Sequence, residues 1–296
     1  MATSPSRRQF LRRGLAATAA ATLGTAPRAA PAAEPPTPKP SAKGIHLGLV
    51  TYMVGARMDL PTLLRTCEQS GMEGVELRST HRHGVEPRID AEARAAVRQA
   101  FAQTEVRLVG LGSACEYHSP KPEVVRRNVE QTQRFVQLAA DVGAWGVKVR
   151  PNGLPRGVPE ETTLRQIAEA LRECGEAAAE KGIVLFVECH GSGTAHPPRM
   201  ARIMELCDHP WVGLCWNCNR GVDFHKGSIR TYFEQCKPWV RHVHIHDLAG
   251  RYPYDELFAL LKGMDFDGFT MLETHTKEDP TDFLRKQRAL WEKLVG

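Results

Sequence analysis

Aromatic residues are few in this sequence, 7% of 296 positions, and no apolar run approaches the roughly 20 residues that a transmembrane helix needs. No glycine-rich loop follows any strand-like run, which removes the main support for a dinucleotide-binding sheet. Eight cysteines are scattered over a chain too long to need a disulfide framework. Most of the chain also lacks an excess of charge. Of 39 basic and 34 acidic residues, seven and one fall in residues 1–43, so residues 44–296 hold 32 and 33, a net of −1. A near-neutral domain offers no electrostatic footprint for nucleic acid or for an anionic membrane surface.

What is there opens with an export signature. Ser6, Arg7, Arg8, Gln9, Phe10 and Leu11 form a twin-arginine pattern, followed by the mildly apolar GLAATAAATLG and the small-residue run Ala29 to Ala33. Residues 1–33 are read as a twin-arginine signal peptide, 34–44 as an extended Pro-rich linker and 45–296 as the folded domain. The expected location is periplasmic or otherwise extracytoplasmic. That route exports proteins already folded, so a metal can be loaded beforehand and disulfides are not required.

Beyond the linker, eight short apolar runs alternate with longer amphipathic stretches: 46–53, 74–80, 106–114, 146–152, 183–191, 212–219, 240–247 and 268–275. Helix-end signals lie between them. Asp59 and Pro61 precede one helix and Gly71 follows it; Asp90 precedes a second; Pro122 and Gly143 bracket a third; Gly182 ends the fourth. Eight strand and helix pairs in a domain of this size predict an α/β fold, a closed (β/α)8 TIM barrel of eight parallel strands.

Such barrels carry their chemistry at the carboxyl ends of the strands. Polar residues gather there: Glu76 and Arg78, Lys148 and Arg150, Glu188 and His190, Asn217 and Asn219, His244 and His246, Glu273 and His275. Side chains alternate faces along a strand, so each pair shares the inner face, while Val75, Leu77, Val147, Val149, Leu185, Val187, Val243, Ile245 and Leu272 turn to the helices. The same parity separates Cys215 and Cys218. Three residues apart on one strand, they point to opposite faces and can neither pair nor share a zinc ion.

Glu188, His244 and Glu273 end strands 5, 7 and 8. Two carboxylates and an imidazole converging at the mouth suit a divalent ion such as Mn, Mg, Co or Zn. Without a cation, two desolvated glutamates side by side cost stability. The competing arrangement pairs each carboxylate with inward Lys148, Arg150 or Arg78.

The order of these residues is also a resemblance. Strand 2 GVELR, strand 5 FVECHG, strand 6 VGLCWN, strand 7 HVHIHD and strand 8 GFTMLE make residues 45–296 similar to the xylose isomerase-like barrels of sugar and sugar-phosphate isomerases and epimerases. The resemblance implies a metal held by Glu188, by the strand 6 position Asn217, by His244 and by Glu273. It implies that Glu188 and Glu273 move a proton beside a metal-polarised carbonyl. The family has Asp where Asn217 stands, and an amide oxygen can ligate a hard cation but brings no charge. Glu76, Arg78, Lys148, Arg150, His190, His246 and His275 are expected to bind the substrate, with a supporting role behind the ligands as the alternative for His190 and His275. His242 lies deeper as a satisfied core histidine, and Trp145 and Trp216 face the helices.

The leading expectation is thus an exported, metal-dependent isomerase or epimerase of a sugar or sugar derivative, with a small carbohydrate as partner. A lyase acting on a keto-sugar glycoside would use the same site, and a sugar-binding barrel without turnover is the third reading. Oligomerisation of identical copies is left open. Abasic-site endonucleases of the same superfamily need a His three residues after the strand 6 acid, where this chain has Arg220.

Overall fold

A computed structural model describes residues 44–296; the expected signal segment 1–33 and all of the linker 34–44 but its last residue lie outside the described residues. The helix signals act through identifiable hydrogen bonds. The Asp59 side chain accepts from Thr62 N at the start of α1 (Leu60–Ser70), and Gly71, at φ 71°, closes it by donating to the Cys67 and Glu68 carbonyls. Asp90 caps α2 (Ala91–Ala102) through Ala93 N. Gly143 and Gly182 end α3 (Pro122–Val142) and α4 (Glu160–Lys181) in the left-handed conformation. Then follow α5 (Pro197–Cys207), α6 (Arg230–Cys236), α7 (Tyr254–Lys262) and α8 (Pro280–Val295). No described helix is long and apolar enough to cross a membrane.

Eight parallel strands close a barrel in sequence order: β1 (Ile45–Met53), β2 (Gly74–Arg78), β3 (Arg107–Gly112), β4 (Gly146–Val149), β5 (Val184–Glu188), β6 (Val212–Asn217), β7 (Val240–Ile245) and β8 (Gly268–Thr274), which returns to β1. The expected runs overshoot at their carboxyl ends. β4 stops at Val149 and β5 at Glu188, and the backbone beyond them leaves the barrel to pair Asn152–Gly153 with Gly191–Ser192. Arg150, His190, His246 and His275 therefore stand on loops at the mouth.

All nine apolar residues assigned to the outer face lie in the large cluster under the helices. Each fully buried Val or Leu contributes about 1.5–3 kcal/mol relative to exposure. A one-residue slip would send them into the barrel and its polar ends to the helices, so register is strongly specified. Inside, Val50, Val109, Phe269 and Met271 form an apolar floor beside a second group of Val184, Phe186, Trp211 and Cys215. Trp216 packs on the helix side as expected. Trp145 does not: it sits before β4 begins, where strand parity no longer governs, and meets Phe186 edge-on with centroids 4.7 Å apart. Cys215 lies in the floor and Cys218 under the helices, and all eight cysteines are unpaired and buried.

Candidate active site

The site is built upward from Glu76 on β2. Fully buried, it accepts hydrogen bonds at Oε2 from His242 Nε2 (3.0 Å) and His244 Nε2 (3.2 Å), both on β7 across the barrel. Burial disfavours the Glu76 carboxylate, but the two imidazoles outweigh it and hold the group well below the usual range. Glu76 thus lies beneath the mouth and steers His244, where a substrate contact was expected. His242 is buried and bonded, with only Nδ1 lacking a partner.

With Nε2 committed, His244 presents Nδ1 to the mouth. That atom makes no hydrogen bond; Glu273 Oε2 is 3.5 Å away and Glu188 Oε1 3.9 Å. Burial works against charge on His244, yet the negative groups around it raise its pKa well above the ordinary value. Glu188 is held from two sides, by Lys148 Nζ on Oε2 at 2.7 Å and by Asn217 Nδ2 on Oε1 at 2.9 Å. Of the three cationic pairings considered from sequence, this one forms. Arg78 turns instead to Ser79, and Arg150 lies 3.8 Å from Glu116.

Lys148 and Asn217 are only 3% and 4% exposed. Burial opposes the Lys148 charge, but Glu188, Glu76 and Glu273 raise its pKa. Glu273, with 13% of its side chain exposed, is the most open of the three acids. Burial would push its carboxyl up; the neighbouring His244 ring and Lys148 pull it down to about 2.

The donor set fits a divalent ion. Ligand atoms of Glu188, His244 and Glu273 all lie within 4.8 Å of one another, and Asn217 Oδ1 beside them is buried without a partner. The orphaned amide oxygen is an acceptor with no donor, and the unbonded imidazole nitrogen faces two carboxylates, so a cation that displaces the proton from that nitrogen would be held by all four groups. Cys215, His242 and His244 also meet the spacing. That set is fully buried, shares His244, and has its thiol pushed by burial up to about 11, away from the thiolate a metal requires.

Around this centre, His246 Nδ1 donates to the Glu273 carbonyl at 2.7 Å, His190 Nδ1 bonds Asn152 Oδ1 at 2.7 Å, and His275 is exposed. Burial lowers the His190 pKa. Tyr52, 45% exposed at the end of β1, stacks on His81 with centroids 6.3 Å apart. Sequence reasoning missed Asn152, whose side chain joins Glu116 to His190. Its one signal was the Asn-Gly pair 152–153, a turn dipeptide at the end of the strand run 146–152.

Fold and donor set define a (β/α)8-barrel protein with a candidate metal centre at the carboxyl ends of its strands. The model of the xylose isomerase-like TIM barrel family matches residues 64–294, and the chain belongs to that family. Among solved structures it is similar to 3-keto-D-glucoside 4-epimerase from E. coli, at 15% identity and TM-score 0.70 over 84% of this chain and 100% of that one. It is likewise similar to the IolI protein with a bound zinc atom, at 15% and 0.70 over 84% and 98%. L-ribulose 3-epimerase gives 14% and 0.72 over 85% and 95%. At these identities the likeness is one of fold. No curated protein matches the chain by sequence.

Proposed function

We propose that this protein is a metal-dependent isomerase or epimerase of a carbonyl-bearing sugar or sugar derivative, acting by proton transfer at the carbon next to the carbonyl. The observation that carries the reading is His244 Nδ1, buried and unpartnered between the carboxylates of Glu188 and Glu273. Glu188, Asn217, His244 and Glu273 would hold the ion. When bound, it would supply a Lewis acid for the sugar carbonyl.

The chain's own residues divide the remaining work. Lys148 and Asn217 hold both oxygens of Glu188 and fix the carboxylate in place. Glu273, the more open acid, is ionised at neutral pH, which supports its role as the group that takes the carbon-bound proton, with Glu188 to return it. Barrels of similar fold include epimerases of 3-keto-D-glucosides and of L-ribulose, which supports a keto-sugar as substrate. The twin-arginine segment supports an extracytoplasmic setting.

The test is solvent-deuterium exchange into a panel of free and glycosidic keto-sugars, read by NMR, together with elemental analysis. Wild type should carry close to one divalent ion per chain and incorporate deuterium. The Glu188→Gln, Glu273→Gln double variant should lose both. Unchanged metal content in that variant, or no exchange by metal-loaded wild type with any sugar of the panel, would overturn the proposal.

A further inference from the structure

Outside the metal centre, the loops after β3, β4 and β5 carry three side chains in series. Asn152 Nδ2 donates to Glu116 Oε2. An ionised carboxylate can only accept, so the amide must turn its NH2 to Glu116 and its oxygen to His190. That oxygen lies 2.7 Å from His190 Nδ1 and can only accept, so Nδ1 carries the hydrogen. The opposite ring atom, Nε2, has no hydrogen-bond partner among the described residues, and the ring is half-buried at the mouth, two residues after Glu188.

The backbone is shaped for this placement. Asn152 adopts φ 69°, a left-handed conformation that costs a non-glycine residue energy, though Asn tolerates it best. The Asn152–Gly153 segment pairs with Gly191–Ser192, the residues directly after His190. Gly191 passes so close that a Cβ there would meet the Asn152 carbonyl carbon at 2.5 Å. Both loops are therefore clamped to each other at the point where amide and imidazole meet.

We propose that Glu116 and Asn152 are positioning residues that present His190 Nε2 to the substrate as a hydrogen-bond acceptor, and that this subsite takes a hydroxyl of an uncharged sugar in preference to a phosphate or carboxylate. The inference rests on the sugar reading above. A hydroxyl has a hydrogen to give to Nε2, whereas an ionised phosphate or carboxylate oxygen has none and would approach a ring backed by the Glu116 charge. Arg150, drawn to Glu116 at 3.8 Å, offsets part of that charge.

The tautomer of His190 decides the matter. In long-range 1H–15N spectra of the metal-loaded protein, with His190 assigned by its loss in His190→Gln, the ring should be the Nδ1–H form. Asn152→Gly keeps the left-handed backbone and removes the amide; it should abolish that preference. It should also raise KM about tenfold for a sugar that wild type turns over, with kcat changed less. Thermal melts establish that the variant folds. An Nε2–H ring in wild type, or an unchanged tautomer and KM in Asn152→Gly, overturns the proposal. The tautomer is read without turnover, so a failure of the positioning relay and a failure of the proposed activity are separable.

Discussion

Asn217 donates its amide hydrogen to Glu188 Oε1 across 2.9 Å while its own Oδ1 meets no partner. Asn217→Asp replaces that donor by a third carboxylate at the centre. Attraction between unit charges about 4 Å apart is roughly 4 kcal/mol at an effective dielectric near 20, before desolvation is subtracted. A tenfold gain in metal affinity, ~1.4 kcal/mol, is expected. Without metal the new carboxylate crowds Glu188, so the stripped variant should melt lower than stripped wild type. Calorimetric metal titration and paired melts measure both effects. If neither quantity moves, Asn217 does not face the ion.

Glu76 accepts from two imidazoles through one oxygen. In Glu76→Gln the amide oxygen can still accept from both rings, but the negative charge that holds them is gone and the NH2 is buried at the Oε1 position, where no acceptor meets it. Metal affinity should fall about 10- to 100-fold, the usual cost of losing a partner that orients a ligand histidine. Metal titration of the stripped variant tests this, and an affinity within twofold of wild type would show that His244 is held by other means.

Asp223 lies fully buried in the loop after β6, where it accepts from Tyr252 OH at 2.9 Å, while Tyr252 accepts from Trp216 Nε1 at 3.1 Å. Burial pushes its carboxyl up to about 8 despite the Tyr252 hydrogen bond. The unfolded chain releases this proton near pH 4. Between those values the folded state binds more protons, so this group's contribution falls as pH rises through the window and is fully retained below it. Denaturant melts from pH 5 to 9 should show wild type losing stability relative to Asp223→Asn. Parallel pH profiles of the two proteins would refute the assignment.

Gly146 leaves space that Phe186 fills: a Cβ there would lie 2.5 Å from the ring carbon Cζ and 2.8 Å from the Val184 carbonyl oxygen. The ring cannot move aside freely, because it stacks on His242 at 4.4 Å and meets Trp145 on another side. Gly146→Ala should cost about 1–3 kcal/mol by overpacking. Gly110→Ala, whose Cβ would meet nothing nearer than 3.4 Å, should cost less. Equal stabilities of the two variants would mean that the barrel floor yields more easily than this packing implies.

The barrel was legible in the sequence because its outer-face residues are apolar at every second position and its helix ends carry Asp, Pro and Gly signals that act locally. Glu188, His244 and Glu273 were legible because parity alone directs them inward at strand ends. The bond between Glu76 and His242 was not: these residues stand 166 positions apart on opposite sides of the barrel, and a pairing of that kind leaves no periodic trace. Asn152 was read as the end of a strand because GVKVRPN alternates smoothly. The left-handed turn that lifts it toward His190 depends on contact with Gly191, which belongs to another loop.

Every thiol of the barrel is enclosed. Burial pushes Cys67, Cys174, Cys207 and Cys236 up to about 12, so almost none is thiolate, the form that attacks a disulfide or an oxidant. The fold acts as a sheath against oxidation. Opening it once in air would release eight reactive sulfurs, none of which has a native partner to find. Unfolding should therefore be reversible under reductant and one-way without it, and the working lifetime of the protein in an oxidising medium is set by how rarely the barrel opens.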